Sequence, residues 1–172
     1  MTEQREASGD TFMTRIGQAV MLLHGGDREE ARNRFGALWA EIGETGDALQ
    51  RCTLAHYMAD TQDDAGDELA WDLRALTAAD GQGAEESDRR APSASAPGEA
   101  RGTSPEMRAF YPTLHLNLAA DYLKLQRPEA ARLHLDRART AADVLGDSGA
   151  DGYGNGVRAG IDRLERLLGQ YP

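Results

Sequence analysis

Only one of the 19 basic residues in this 172-residue chain is a lysine, Lys124; the other eighteen are arginines. That bias fits a GC-rich coding genome and identifies no binding property. Cysteine is as scarce: Cys52 stands alone, cannot close an internal disulfide and has no second cysteine nearby for a zinc site. Its thiol is expected to be free, partly buried and kept in a reducing compartment. β-Branched residues are few, and no stretch alternates apolar with polar residues as a half-buried strand requires, which excludes a sheet-based fold. No run approaches the roughly 18 consecutive apolar residues of a membrane span, and the opening MTEQREASGD lacks a basic n-region followed by an apolar core. The chain is therefore expected to stay in the cytoplasm and off membranes.

What is abundant is Ala, Leu, Arg and acid. The length suits one domain with a real core and is short for two. The net charge of −10 is unevenly placed: from Glu41 to Asp88 thirteen acids face only Arg51 and Arg74, whereas from Pro105 onward nine acids balance nine bases. Such a negative middle repels phosphate backbones, which argues against DNA or RNA as a partner and favours a basic segment.

The largest break in composition is DGQGAEESDRRAPSASAPGEARGTS, residues 80–104, which holds no large apolar side chain. It cannot bury enough surface to offset its ordering entropy and is expected to be a flexible insertion. Residues 1–10 are expected to be a flexible N-terminus, leaving 11–172 as a single helical domain. Seven helices are predicted. The first spans about Thr11 to His24, ended by Gly25 and Gly26. Asp27-x-x-Glu30 caps the second, with Ala31, Phe35, Leu38 and Ile42 on one face, and Asp47-x-x-Gln50 caps the third. The fourth follows the polar turn TQDDAGD and is expected to bury Leu69, Leu73 and Leu76. For the fifth, which reaches Leu125, two starts are open, Pro105 or Pro112, and the later one is favoured. Pro128 opens the sixth, closed by Gly146, and after a glycine-rich turn DGYGNG the seventh carries Val157, Ile161, Leu164 and Leu168.

Ala31, Phe35 and Leu38 share the spacing 0, 4, 7 with Leu69, Leu73 and Leu76 and with Ala131, Leu135 and Ala138, each set following a helix with Leu22, Met58 or Tyr122 nine to eleven positions earlier. In the third unit, Leu118-Ala119-x-x-Tyr122 followed by Ala131 and Leu135 resembles a tetratricopeptide repeat, with Ala119 in place of that family's glycine. The second unit departs from the pattern, with a longer turn and Leu69 where a small residue belongs. The resemblance implies an all-α, bacterial, TPR-like stack of three helical hairpins plus a C-terminal capping helix, interrupted by the insertion at 80–104.

Catalytic chemistry finds little footing. His24, His56, His115 and His134 lie in four different helices with no ligand spacing, no phosphate-cradling loop is present, and Asp63-Asp64 and Glu85-Glu86 sit in a turn and in the insertion. Cys52 and His56, one turn apart, form the only nucleophile and base pairing, with no orienting carboxylate near them in sequence. No enzyme activity, cofactor or metal is expected. The family resemblance implies a concave groove lined by the first helix of each hairpin, through Ile16, Val20, Leu23 and His24, then Cys52, Thr53, His56 and Asp60, then Thr113, Leu116, Asn117, Ala120 and Lys124. It also implies that Asn117 holds a peptide backbone, unless its amide bonds a neighbouring helix instead. Three roles stay open: a scaffold for a peptide or partner protein, a regulatory or sensor module, and a self-associating structural protein that forms a homodimer.

Overall fold

The computed structural model describes residues 2–43, 46–89, 104–146 and 152–172, in which seven α-helices and no strand occur. They are α1 (Thr2–His24), α2 (Arg28–Ile42), α3 (Ala48–Ala59), α4 (Ala65–Arg89), α5 (Pro105–Lys124), α6 (Pro128–Leu145) and α7 (Gly152–Leu168).

Several boundaries differ from expectation for local reasons. α1 begins at Thr2 rather than Thr11, because TEQREA is a run of good helix formers with acids near its start, so the segment expected to be flexible continues the helix. α4 runs on to Arg89, ten residues into the expected insertion, where DGQGAEESDR tolerates helix; residues 90–103 lie outside the described part. α5 starts early, with the Ser104 hydroxyl accepting the Met107 amide and Pro105 in the first turn. Pro112 therefore sits inside a helix at a cost of about 3 kcal/mol, which the burial of Met107 and Leu114 helps to offset. The run DGYGNG, expected as a turn, is helical from Gly152.

The helices pack as hairpins, α1 with α2, α3 with α4 and α5 with α6, and the cores between them share elements. Phe12, Ile16 and Ala19 of α1 meet Ala31, Phe35 and Leu38 of α2 and Leu54 and Met58 of α3. Cys52 and Ala55, also from α3, meet Ala75, Ala78 and Ala79 of α4 and Met107 and Leu114 of α5. Ala119 of α5 then meets α6 through Ala131, Leu135 and Ala138, and α7 through Val157, Ile161, Leu164 and Leu168. Trp39 and Trp71 stand at the junction of the first two cores, edge to face at 5.1 Å, with Arg51 over the first ring and Arg74 over the second.

Hairpins one and three turn identically. Asp27 N–H reaches back to Leu22 O (2.9 Å) and Gly26 N–H to Leu23 O (3.1 Å); Arg127 N–H reaches Tyr122 O (2.8 Å) and Gln126 N–H reaches Leu123 O (3.0 Å). Both are Schellman turns with a left-handed residue, Gly26 at φ 93° and Gln126 at φ 58°. The middle hairpin uses side chains instead. The Thr61 hydroxyl and the Gln62 amide both donate to Met58 O, and Asp64 Oδ1 accepts from the Gly66 and Asp67 amides, which fixes the start of α4 at Ala65.

That start changes the register. Counting from their first residues, α2 and α6 carry Ala31, Phe35, Leu38 and Ala131, Leu135, Ala138 at positions four, eight and eleven; in α4 those positions hold Glu68, Asp72 and Ala75. The inter-helix turn, residues 60–64, is two residues longer than the three-residue turns of its sisters, but α3 ends one residue after Met58 where α1 and α5 end two after Leu22 and Tyr122, so the buried stripe of α4 shifts by one position. Leu73, expected in the core, is 37% exposed, while Asp72 is 1% exposed.

Two substitutions test these contacts. Ala131→Leu overfills a fully buried site against Ala119 and is expected to destabilise by about 1–3 kcal/mol in thermal melts. Gln126→Gly relieves the left-handed residue and is expected to stabilise by about 1 kcal/mol, less whatever the exposed Tyr171 hydroxyl bond to Gln126 contributes.

Candidate functional site

Placing Asp72 where the other hairpins carry Phe35 and Leu135 assembles a polar basin between α3, α4 and α5. From the α3 side come His56 and, just past the helix end, Asp60; from α4, Glu68 and Asp72; from α5, Asn117, Asp121 and Lys124. Asn117 Nδ2 donates to His56 Nδ1 at 3.2 Å, and the same nitrogen lies 3.7 Å from Asp72 Oδ1. Tyr57 and Phe110 flank the imidazole at 5.0 and 5.4 Å between ring centroids. At the mouth, Lys124 Nζ donates to both oxygens of Glu68 at 2.6 Å and stands 3.6 Å from Asp121 Oδ1.

Beneath that lid, Asp72 and Asp121 are each 1% exposed and hydrogen-bonded to each other, and no other group donates to Asp72 Oδ1 or Asp121 Oδ2. Burial, the neighbouring Asp72 and then Glu68 push the Asp121 carboxyl up to about 8, so it holds a proton at neutral pH. Lys124 moves the other way from its own desolvation: Glu68 and Asp121 outweigh that and hold the ammonium charged. Partial desolvation at the basin's rim also raises Asp60, against the pull of His56.

A second cluster lies between α5 and α6. His115 Nδ1 and His134 Nδ1 are 3.0 Å apart and buried, so one ring must donate and the other accept. Burial, then His134 and Arg137, lower His115 to about 4, and burial and Arg137 lower His134. Tyr111, beside this pair, donates to Asp80 at 2.7 Å.

The residues expected along the groove divide. Ile16 and Cys52 are taken into the cores and Thr53 is buried, because α1 and α3 turn those positions toward α2 and α4. Leu116 is covered by α7, where Gly160 makes room: a Cβ there would lie 2.6 Å from Leu116 Cδ2. Val20, Leu23, Thr113 and Ala120 are half-buried, and His24, Asp60 and Lys124 are exposed. Of the whole set, His56, Asp60, Asn117 and Lys124 come together in the basin. Cys52 does not act with His56: burial, with Asp72 and Asp80, pushes its thiol up to about 12, which leaves no thiolate. Glu68, Asp72 and Asp121 were missed. The signal that would have found them is the register of α4, since a buried stripe that starts one position earlier than expected places an acid on it.

What this arrangement can do is hold a proton or a cation between carboxylates from two helices. Among the described residues no three His, Cys, Asp or Glu side chains are placed to hold a metal ion, and no helix is long and apolar enough to cross a membrane.

The two clusters give stability an optimum in pH. Below about 6.5 the unfolded chain binds a proton at His115 that the folded chain refuses until about pH 4, so stability is lost on acidification across that window. Asp121 has the opposite sign: the folded chain keeps a proton up to about pH 8 that the unfolded chain releases near 3.8, so stability falls as pH rises between those values. The His115 and Asp121 terms nearly cancel between about pH 4 and 6.5, where the lowered His134 tips the balance toward stability gained as pH rises, and above 6.5 the Asp121 term dominates, at up to about 1.4 kcal/mol per pH unit. Melts of the parent chain are therefore expected to peak near pH 6.5 and decline by 8, whereas Asp121→Asn should show no decline. No family model, curated protein or solved structure matches this chain, so its function rests on the geometry.

Proposed function

We propose that the chain is a non-catalytic, TPR-like scaffold that binds a peptide or partner protein along the surface of α1, α3 and α5. The observation that carries this reading is the recurrence of one hairpin. Ala19, Ala55 and Ala119 are fully buried three positions before Leu22, Met58 and Tyr122, and two of the three turns repeat bond for bond. Small residues at matched places let each first helix approach its neighbours closely, and α3 and α5 each serve two cores. A stack so built leaves one edge of every first helix for a ligand, and there His24, Asp60 and Lys124 remain exposed. With Lys124 nearly the only base on that edge, a basic partner segment suits it best. Asn117 already serves as an inter-helix bond to His56, so its contribution is to fix α5 on α3 rather than to hold a peptide backbone.

A partner recovered from the native cell with the parent chain is expected to bind about tenfold more weakly to His24→Lys and to Asp60→Lys, and unchanged to Val144→Glu, a site 80% exposed on α6. Light scattering on the same samples separates a homodimer from a complex. Equal recovery by all three variants would remove the groove.

A further inference from the structure

The basin between α3, α4 and α5 carries a charge deficit that the chain does not fill. Facing it are Asp60 and His56 from the α3 side, Glu68 and Asp72 from α4, and Asp121 and Lys124 from α5: four carboxyl groups and one ammonium. Lys124 closes the mouth without satisfying the floor. It is bound to Glu68, is 49% exposed, and reaches Asp121 Oδ1 only to 3.6 Å, leaving Asp121 Oδ2 and Asp72 Oδ1 shut off from water with no donor but the proton the two acids share. A buried pair of acids served only by that proton is costly, and the sister hairpins avoid it with Phe35 and Leu135. The group that would satisfy both oxygens needs positive charge and several N–H bonds diverging in one plane, because the carboxylates sit on different helices. An ammonium is a point donor; a guanidinium offers five N–H bonds in a fixed fork.

We propose that the basin is the receptor for an arginine side chain of the bound partner, whose guanidinium displaces Lys124 from Glu68 and takes up the free oxygens of Asp72 and Asp121. The proposal rests on the reading of α1, α3 and α5 as a partner-binding surface and names what that surface selects. Lys124 is then a stopper, not a contact. The proton that Asp121 holds at neutral pH leaves for solvent as the guanidinium enters, since two carboxylates and a cation replace a carboxyl, a carboxylate and no ligand. Binding is thereby linked to pH: it should release up to one proton and tighten as pH rises from 6.5 to 8.5.

The test titrates the full chain with the peptide acetyl-Ala-Arg-Ala-amide, and with its norleucine counterpart, by calorimetry in two buffers of different ionisation enthalpy. The arginine peptide is expected to saturate, to release close to one proton at pH 7 and to bind at least tenfold more tightly than the norleucine peptide. Lys124→Met and Lys124→Gln, which remove the stopper, should each bind it several-fold more tightly. Asp72→Asn with Asp121→Asn should bind it at least tenfold more weakly and release no proton. If that pair of changes unfolds the chain, the two Lys124 variants and the proton count decide alone. Equal affinity for both peptides in the parent and in both Lys124 variants overturns the proposal, as does weaker binding when Lys124 is removed. A native partner lost by His24→Lys yet held by Asp72→Asn with Asp121→Asn would overturn the basin and leave the groove. Arginine-peptide binding as expected, with partner recovery insensitive to His24→Lys, would keep the basin and remove the groove.

Discussion

Everything in this chain depends on helices being able to serve two cores at once. α3 gives Leu54 and Met58 to one side and Cys52 and Ala55 to the other; α5 gives Met107 and Leu114 to one and Ala119 to the next. A helix can be shared in this way only if small residues let neighbours approach on both flanks, which is why Ala19, Ala55, Ala119, Ala31 and Ala131 have no exposed surface. The cost is that each core is thin. The few large side chains of each interface must be well packed, and a single added branch has nowhere to go.

Against that economy the middle hairpin is an exception. Its fourth helix brings Glu68 and Asp72 to positions occupied elsewhere by alanine, phenylalanine and leucine, and Asp121 meets them from α5. Replacing buried polar groups by apolar ones of similar volume is often stabilising, so a chain selected for stability alone would discard this pair. The middle turn is also the one built from side chains, with Thr61, Gln62 and Asp64 doing what backbone does in its sisters, and with Arg28 and Arg32 holding Asp63 from α2. The lengthened turn is what rotates α4 and brings Asp72 inward. Charge, turn and register belong to one local change.

The sequence made the helical class readable because its apolar spacing is clear and its breakers, Gly25, Gly43, Pro128 and Gly146, stand at helix ends. α2, α3 and α6 fall where their caps placed them, and Val157, Ile161, Leu164 and Leu168 are all buried as their spacing required. The starts of α1 and α5 were harder, since TEQREA carries no apolar marker and Pro112 reads as a boundary until Met107 is seen to anchor the turn before it. The basin was hidden for a different reason. Leu69, Leu73 and Leu76 form a better apolar stripe than Glu68, Asp72 and Ala75, so periodicity alone selects the wrong face; only the hydrogen bonds of the turn settle the phase. His115 and His134, nineteen residues apart, meet only because α5 and α6 fold back on each other.

The two tryptophans have an optical consequence. Trp39 and Trp71 are the only indoles in the chain, and both stand at the junction of the first two cores under arginine planes. Intrinsic fluorescence therefore reports that junction and is blind to α6 and α7. In a stack where each layer touches only its neighbours, the far layers can fray before the near ones. Fluorescence would then give a sharp, late transition while circular dichroism, which sees every helix, begins to change earlier. A mismatch between the two signals would be a property of where the chromophores lie, and would measure how far cooperativity extends along the chain.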